Sequence, residues 1–399
     1  MFPNGLSTGF SGQEFYGGYD LGSMMRAAPV ESPAGESQGT PAVEGKESIT
    51  ALISEGDGQP PELAPLRDAL AKQMARWSPE KTLLETVSPA VVLQMAFPFG
   101  AEGRFLCRTV AQDAGSGGKR AATEPAYAVG VLCWNFPIGG KKLLTESQGG
   151  IFPRVGWQYQ RSGGELLFAL ASSRVATDYV LRVGAEKSFT IAALIESEKS
   201  RISFREDHAL TAAALAFYVE NATATWRGFF GQEVSLVSLA DYELNRPVFW
   251  TRSDSIDRLL GLTLLSKRFH RDIAGGKSDP QLLDVSERID RYLAILRPYA
   301  EKQRGANGLW QTRFLSNEPA KEETVELLLV NGHLLRFLIA GASRAELESE
   351  TMRRSVYHLA LYLAKTRRPT DPLGDRSPRE IEAIGVVLHA LSLYLAGTE

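Results

Sequence analysis

Thr324-Val325-Glu326-Leu327-Leu328-Leu329-Val330-Asn331-Gly332-His333-Leu334-Leu335-Arg336-Phe337-Leu338-Ile339-Ala340 is the run on which the fold turns. It is too long for a strand and apolar on every face once past its first turn, which predicts a helix over 322–340 buried on most sides. Two interruptions stand out, the triplet Asn331-Gly332-His333 and Arg336. A polar group buried without a partner costs about 1–3 kcal/mol, so partners are expected opposite them. Any functional cavity is therefore expected around His333, with Asn331 beside it. Asp257, Arg258, Trp310 and Arg313 should be close by.

The neighbouring sequence repeats the helical theme. Gly305-Ala306-Asn307-Gly308-Leu309-Trp310 predicts a turn between this helix and one over 280–301. Glycine there allows left-handed backbone, and the Trp packs back onto the hairpin it ends. Further apolar-periodic segments lie at 165–174, 188–200, 208–221, 234–245, 254–270, 344–365 and 378–396. Ser377-Pro378-Arg379-Glu380 has the pattern of a capping box. Upstream, Leu63, Leu66, Leu70, Met74 and Trp77 form one helical stripe, and a second helix starts near Pro89. Residues 98–164 break the rhythm with paired glycines and predict an irregular, loop-rich insertion. The expected fold is mainly all-α, with residues 61–399 forming one domain, an α/α toroid of antiparallel helical hairpins about a common axis.

Residues 1–60 differ in kind, rich in Gly, Ser and Pro and without apolar period. Such a segment cannot bury enough surface to offset the entropy of ordering, and it reads as a disordered arm. Phe2, Phe10, Phe15, Tyr16 and Tyr19 near its tip suggest self-association or docking on a protein partner.

The 399 residues include 44 basic and 47 acidic side chains, a net charge of −3, which argues against nucleic acid as a partner. No uninterrupted run of 18 apolar residues is present, so no transmembrane segment is expected. The chain would be periplasmic or secreted if a signal peptide has been removed, and otherwise cytoplasmic. Cys107 and Cys133 stand as two buried thiols or as one pair. No phosphate-binding loop, dinucleotide fingerprint, zinc-protease motif or nucleophile elbow occurs, and no cofactor is expected. Gly115-Ser116-Gly117-Gly118-Lys119 reads as a linker. His208, His270, His333, His358 and His389 fall one per helix, so no pair on one face chelates a metal. The acids near Arg258, Arg288 and Arg291 read as salt-bridged helix faces.

Several short motifs, in order, resemble a known family. They are Cys133-Trp134-Asn135-Phe136-Pro137, Val155-Gly156-Trp157-Gln158-Tyr159-Gln160, Leu170 to Tyr179 and Arg182-Val183-Gly184. Asp257-Arg258-Leu259-Leu260-Gly261-Leu262, Gln303 to Phe314 and Asn331-Gly332-His333-Leu334-Leu335 continue the series. They resemble a planctomycete family carried under the label ADP-ribosylation factor-directed GTPase-activating protein. No zinc-finger cysteines or arginine-finger context accompany that label here. The resemblance spans residues 62–397 and implies an α/α toroid, terpenoid-cyclase-like in outline, in an exported protein. The chain departs from it at Asp257, where the family has histidine, and at Asn307, where it has an acid.

Two functions follow as expectations. The first is a non-catalytic toroid that binds or interacts with a partner in the bacterial cell envelope. The second is a toroid enzyme, a lyase or hydrolase on a glycan or an enzyme on an isoprenoid. Two carboxyls converging on an open cleft would favour glycan cleavage. A dry aromatic cavity would favour an isoprenoid, and a filled core would favour the interaction reading.

Overall fold

The structure, a computed structural model, describes residues 61–112, 119–147, 149–184, 186–246, 253–277, 279–312, 324–366, 373 and 376–399. The N-terminal arm and Arg313 lie outside the described residues. All that follows belongs to the unit of residues 44–108 and 123–399, except the outer ends of the first two strands.

The described chain is mostly helical. Its helices are α1 (Leu63–Arg76), α2 (Pro89–Phe99), α3 (Ala128–Cys133), α4 (Glu165–Ser172), α5 (Ile191–Arg201), α6 (Ala209–Tyr218) and α7 (Leu236–Asn245). Then come α8 (Ser253–Ala274), α9 (Pro280–Lys302), α10 (Thr324–Gly341), α11 (Arg344–Leu347), α12 (Glu350–Lys365) and α13 (Pro378–Thr398). Four two-stranded sheets fill the gaps between them. They are β1 (Arg104–Gln112) with β2 (Lys119–Tyr127), β3 (Leu144–Ser147) with β4 (Gly150–Pro153), β5 (Val180–Arg182) with β6 (Ser188–Thr190), and β7 (Trp226–Arg227) with β8 (Glu233–Val234).

Neighbour relations alternate along the chain. Helix α2 packs on α4, α4 on α6, α6 on α8, α8 on α10, α10 on α13, and α13 back on α2. The intervening helices pack against this closed series, with α3 on α2, α5 on α6, α7 and α9 on α8, and α1 and α12 on α13. Composition explains the division. In α6 every residue from Ala209 to Ala216 is buried, and in α4 every residue from Glu165 to Ala171, because neighbours cover all their faces. By contrast α9 exposes Leu283, Ile295 and Tyr299 on one side and buries Val285, Ile289 and Leu293 on the other. Among the described residues, α10 and α13 are long and apolar enough to cross a membrane, but most of each is buried against other helices.

The insertion over 98–164 is more regular than its glycines suggest. Ala128 to Cys133 forms helix α3, and the flanking segments pair as β1–β2 and β3–β4. Residues 344–365 form two helices, because Ser349 caps a new helix through the Met352 amide at 3.3 Å. The Ser377 capping box is present, with the Ser377 amide donating to Glu380 Oε2 at 2.9 Å and the Glu380 amide to Ser377 Oγ at 3.2 Å. Gly341 is the last residue of α10, and a Cβ there would collide with the Arg297 guanidinium. Cys107 and Cys133 are both free and buried.

Candidate functional site

The three members of the polar triplet in α10 serve three different purposes. His333 is 1 % exposed, and its Nδ1 lies 2.8 Å from Asp257 Oδ1 on α8. Asp257 is an ionised acceptor, so this nitrogen carries the proton. Gly332 is a point of close approach: a Cβ there would stand 2.8 Å from Val386 Cγ1 on α13. Asn331 turns the other way. Its side chain accepts from the Trp310 amide at 2.8 Å and donates to the Trp310 carbonyl at 2.9 Å, anchoring the turn after α9. The Trp310 indole donates to the Ala300 carbonyl at 2.6 Å, so the Trp does pack back onto the helix it ends.

The predicted cluster is therefore divided. His333 and Asp257 meet, while Asn331 and Trp310 form a separate structural tie. Arg258 is buried but donates to the Arg246 carbonyl at 3.3 Å, away from His333. The expected helix-face pairs of Arg288 and Arg291 are present, Arg288 with Asp284 at 3.6 Å and Arg291 with Glu287 at 3.5 Å.

What surrounds Asp257 was not foreseen. Arg336 lies 3.6 Å from its Oδ1 and Arg161 lies 3.7 Å from its Oδ2. Arg161 also bonds Glu165 at 3.0 Å and pairs with Glu382 of α13. These groups come from α4, α8, α10 and α13, and α4 and α8 are not neighbours in the series, so the network lies inside the ring of contacts. Burial alone would raise the Asp257 carboxyl, but His333, then Arg336 and Arg161, pull it well below the usual carboxylate range. Burial raises Glu165 despite Arg161. His389 on α13 completes the interior, stacked on Phe97 at 5.6 Å with its own ionisation suppressed mainly by burial. The sequence did carry a signal for Glu165, a lone acid at the start of an otherwise apolar helix, whereas Glu382 follows Glu380 in the first turns of its own helix. Such acids complement the helix dipole, and here they also hold Arg161.

Arg161 faces two ways. Besides the interior network, it lines a cleft of about 340 Å³ together with Gly163, Glu198, Asp207, His208 and Thr211. The walls are the loop before α4, the last turn of α5 and the start of α6. Glu198 is 3 % exposed, and its Oε1 has no hydrogen-bond partner among the described residues. Burial pushes its carboxyl up to about 7 against the pull of Arg201. Asp207 differs: one oxygen accepts the Ala209 amide at 3.0 Å and the other pairs with Arg246 at 3.2 Å. His208 is tied to the fold, its ring 2.5 Å from the Ser203 carbonyl.

Aromatic side chains stand exposed beside this cleft. Trp157, two residues past the lining Val155, is 66 % exposed. Phe229 and Phe230, in the β7–β8 turn, are 65 % and 60 % exposed, and the Phe229 amide donates to the carbonyl of the lining residue Ile202 at 2.9 Å. Among the described residues, no group of three or more His, Cys, Asp and Glu side chains is placed to hold a metal ion. Comparison of the chain with family models, with curated proteins and with solved structures finds no match.

Proposed function

We propose that the protein is an α/α toroid that binds a glycan chain in the cleft between α4, α5 and α6. The observation that carries this reading is a cleft of small-molecule size lined by several charged residues, with the exposed rings of Trp157, Phe229 and Phe230 on the segments that adjoin it. A sugar ring presents hydroxyls at its edges and an apolar C–H face. It calls for carboxylates and guanidiniums in the walls and an exposed aromatic face at the rim. Here Phe230 has the Arg205 guanidinium over one face at 4.8 Å and its other face toward solvent or Phe229. Large aromatic rings left in water beside a cleft mark a contact surface.

Two further observations favour this reading. Arg336, Asp257, His333 and His389 fill the interior of the ring with charged and polar groups, which does not suit an isoprenoid chain. The resemblance described above implies an exported protein, and outside the cytoplasm envelope glycans are at hand. The test is an array of bacterial and plant oligosaccharides probed with the full chain, followed by calorimetry on the glycan retained. Trp157→Ala and Phe230→Ala are each expected to weaken binding at least tenfold without lowering the melting temperature. An array that retains no glycan overturns the proposal, as does an affinity unchanged in both variants.

A further inference from the structure

Resting on the glycan-binding reading, we infer that the cleft also cleaves the chain it holds, with Glu198 donating a proton to the glycosidic oxygen and Asp207 receiving one from water. Geometry singles out Glu198. It sits in the last turn of α5, almost wholly buried, yet lines the cleft, and its Oε1 is unpartnered. A buried carboxyl that lines an accessible space and keeps one oxygen unpaired either has a ligand to meet or carries an uncompensated desolvation cost. Residue 163, which also lines the cleft, is glycine, and the side-chain atoms nearest to a Cβ there would be Glu198 Oε2 and Thr211 Oγ1, both at 3.9 Å. The next residue holds that geometry. Gly164 has φ +83°, and a Cβ on it would strike Thr211, so the start of α4 and the start of α6 are in close approach.

The second carboxyl lies in a contrasting environment. Asp207 is ion-paired with Arg246 and accepts a backbone amide, both of which favour its charged form. Two carboxyl groups on one cleft, one raised to about 7 by burial and one ion-paired, are what acid–base hydrolysis of a glycoside requires. Both Asp207 oxygens already accept hydrogen bonds, which dulls it as a nucleophile and suits it to orient a water.

The step balances without a further reagent. The Glu198 proton passes to the glycosidic oxygen as the bond from that oxygen to the anomeric carbon breaks. Water gives a proton to Asp207 while its oxygen bonds the same carbon. Solvent then carries that proton from Asp207 back to Glu198, and one water has been added across the glycosidic bond. The other charged or titratable groups lining the cleft are Arg161, Arg201, Glu206 and His208. Arg201 is the one that opposes the rise of Glu198.

The experiment takes the glycan retained on the array, incubates it with the full chain, and follows release of new reducing ends from pH 5 to pH 9. Cleavage is expected to fall as pH rises past about 7. Glu198→Gln should bind the same glycan within about threefold of the parent affinity and lose at least a hundredfold in cleavage. Asp207→Asn should lose cleavage to a similar degree while keeping its binding, which gives an answer even where Glu198→Gln does not fold. Binding without any release of reducing ends overturns the inference and leaves the binding reading standing. Cleavage by Glu198→Gln at the parent rate also overturns it. Failure to retain any glycan removes the binding reading first.

Discussion

Glu198→Gln should make the protein more stable at alkaline pH and leave it unchanged in acid. The Glu198 carboxyl rises from an ordinary 4.5 in the unfolded chain to about 7 in the folded one, chiefly through burial. Between those values the folded state holds a proton that the unfolded state has released. Stability therefore falls as pH rises from about 4.5 to 7 and is level beyond. At about 1.4 kcal/mol per pH unit, the folded state at pH 8 carries a penalty of about 3 kcal/mol for ionising this one group. Glutamine has the same shape and never ionises, so it removes the penalty. Glu243, raised to about 7 as well, has the same sign but is present in both proteins and cancels in the difference. Urea unfolding followed by tryptophan fluorescence at pH 4.5 and pH 8 measures the effect. Equal stability is expected at the lower pH and a gain of about 3 kcal/mol for the variant at the higher. Two denaturation midpoints that move in parallel with pH would refute the reasoning, because Glu198 would then titrate as an ordinary carboxyl.

Asp257→Asn removes the anion between His333, Arg336 and Arg161, and breaking such a buried set should cost about 3–5 kcal/mol in urea unfolding at pH 7. In the parent the Asp257 carboxyl lies below its ordinary range, so its contribution is present at neutral pH and fades as pH falls below about 4; the variant should lack that part of the acid unfolding profile. Asn331→Ala deletes both bonds to the Trp310 backbone and should cost about 2 kcal/mol, with a red shift in fluorescence as the turn loosens. Gly332→Ala presses a methyl into Val386 and should cost about 1–3 kcal/mol, read as a lower melting temperature with an unchanged helical circular dichroism spectrum.

The sequence by itself determined most of the helices outside residues 98–164 and showed which of them are covered on all sides. Those properties follow from local periodicity and composition: apolar residues on every face of 209–216 or 324–340 leave no side for solvent. It also pointed to Asn331, His333 and Arg336 as needing partners, since a polar side chain in such a helix is costly unless something opposite it forms a hydrogen bond. Only the tertiary structure decided what those partners are. Asn331, Gly332 and His333 are adjacent in sequence, but successive helical positions point about 100° apart. One therefore meets the turn at Trp310, one meets α13, and one meets α8. Arg161 lies in a loop with no periodicity to betray it, and it joins Asp257, Glu165 and Glu382 only because the contact series of α2, α4, α6, α8, α10 and α13 closes on itself. The same holds for Glu198: in sequence it is one more acid in Glu196-Ser197-Glu198-Lys199, and only the packing of α5 against the starts of α4 and α6 removes it from water. A charge becomes a buried acid through neighbours far away in the chain, and no local pattern records them.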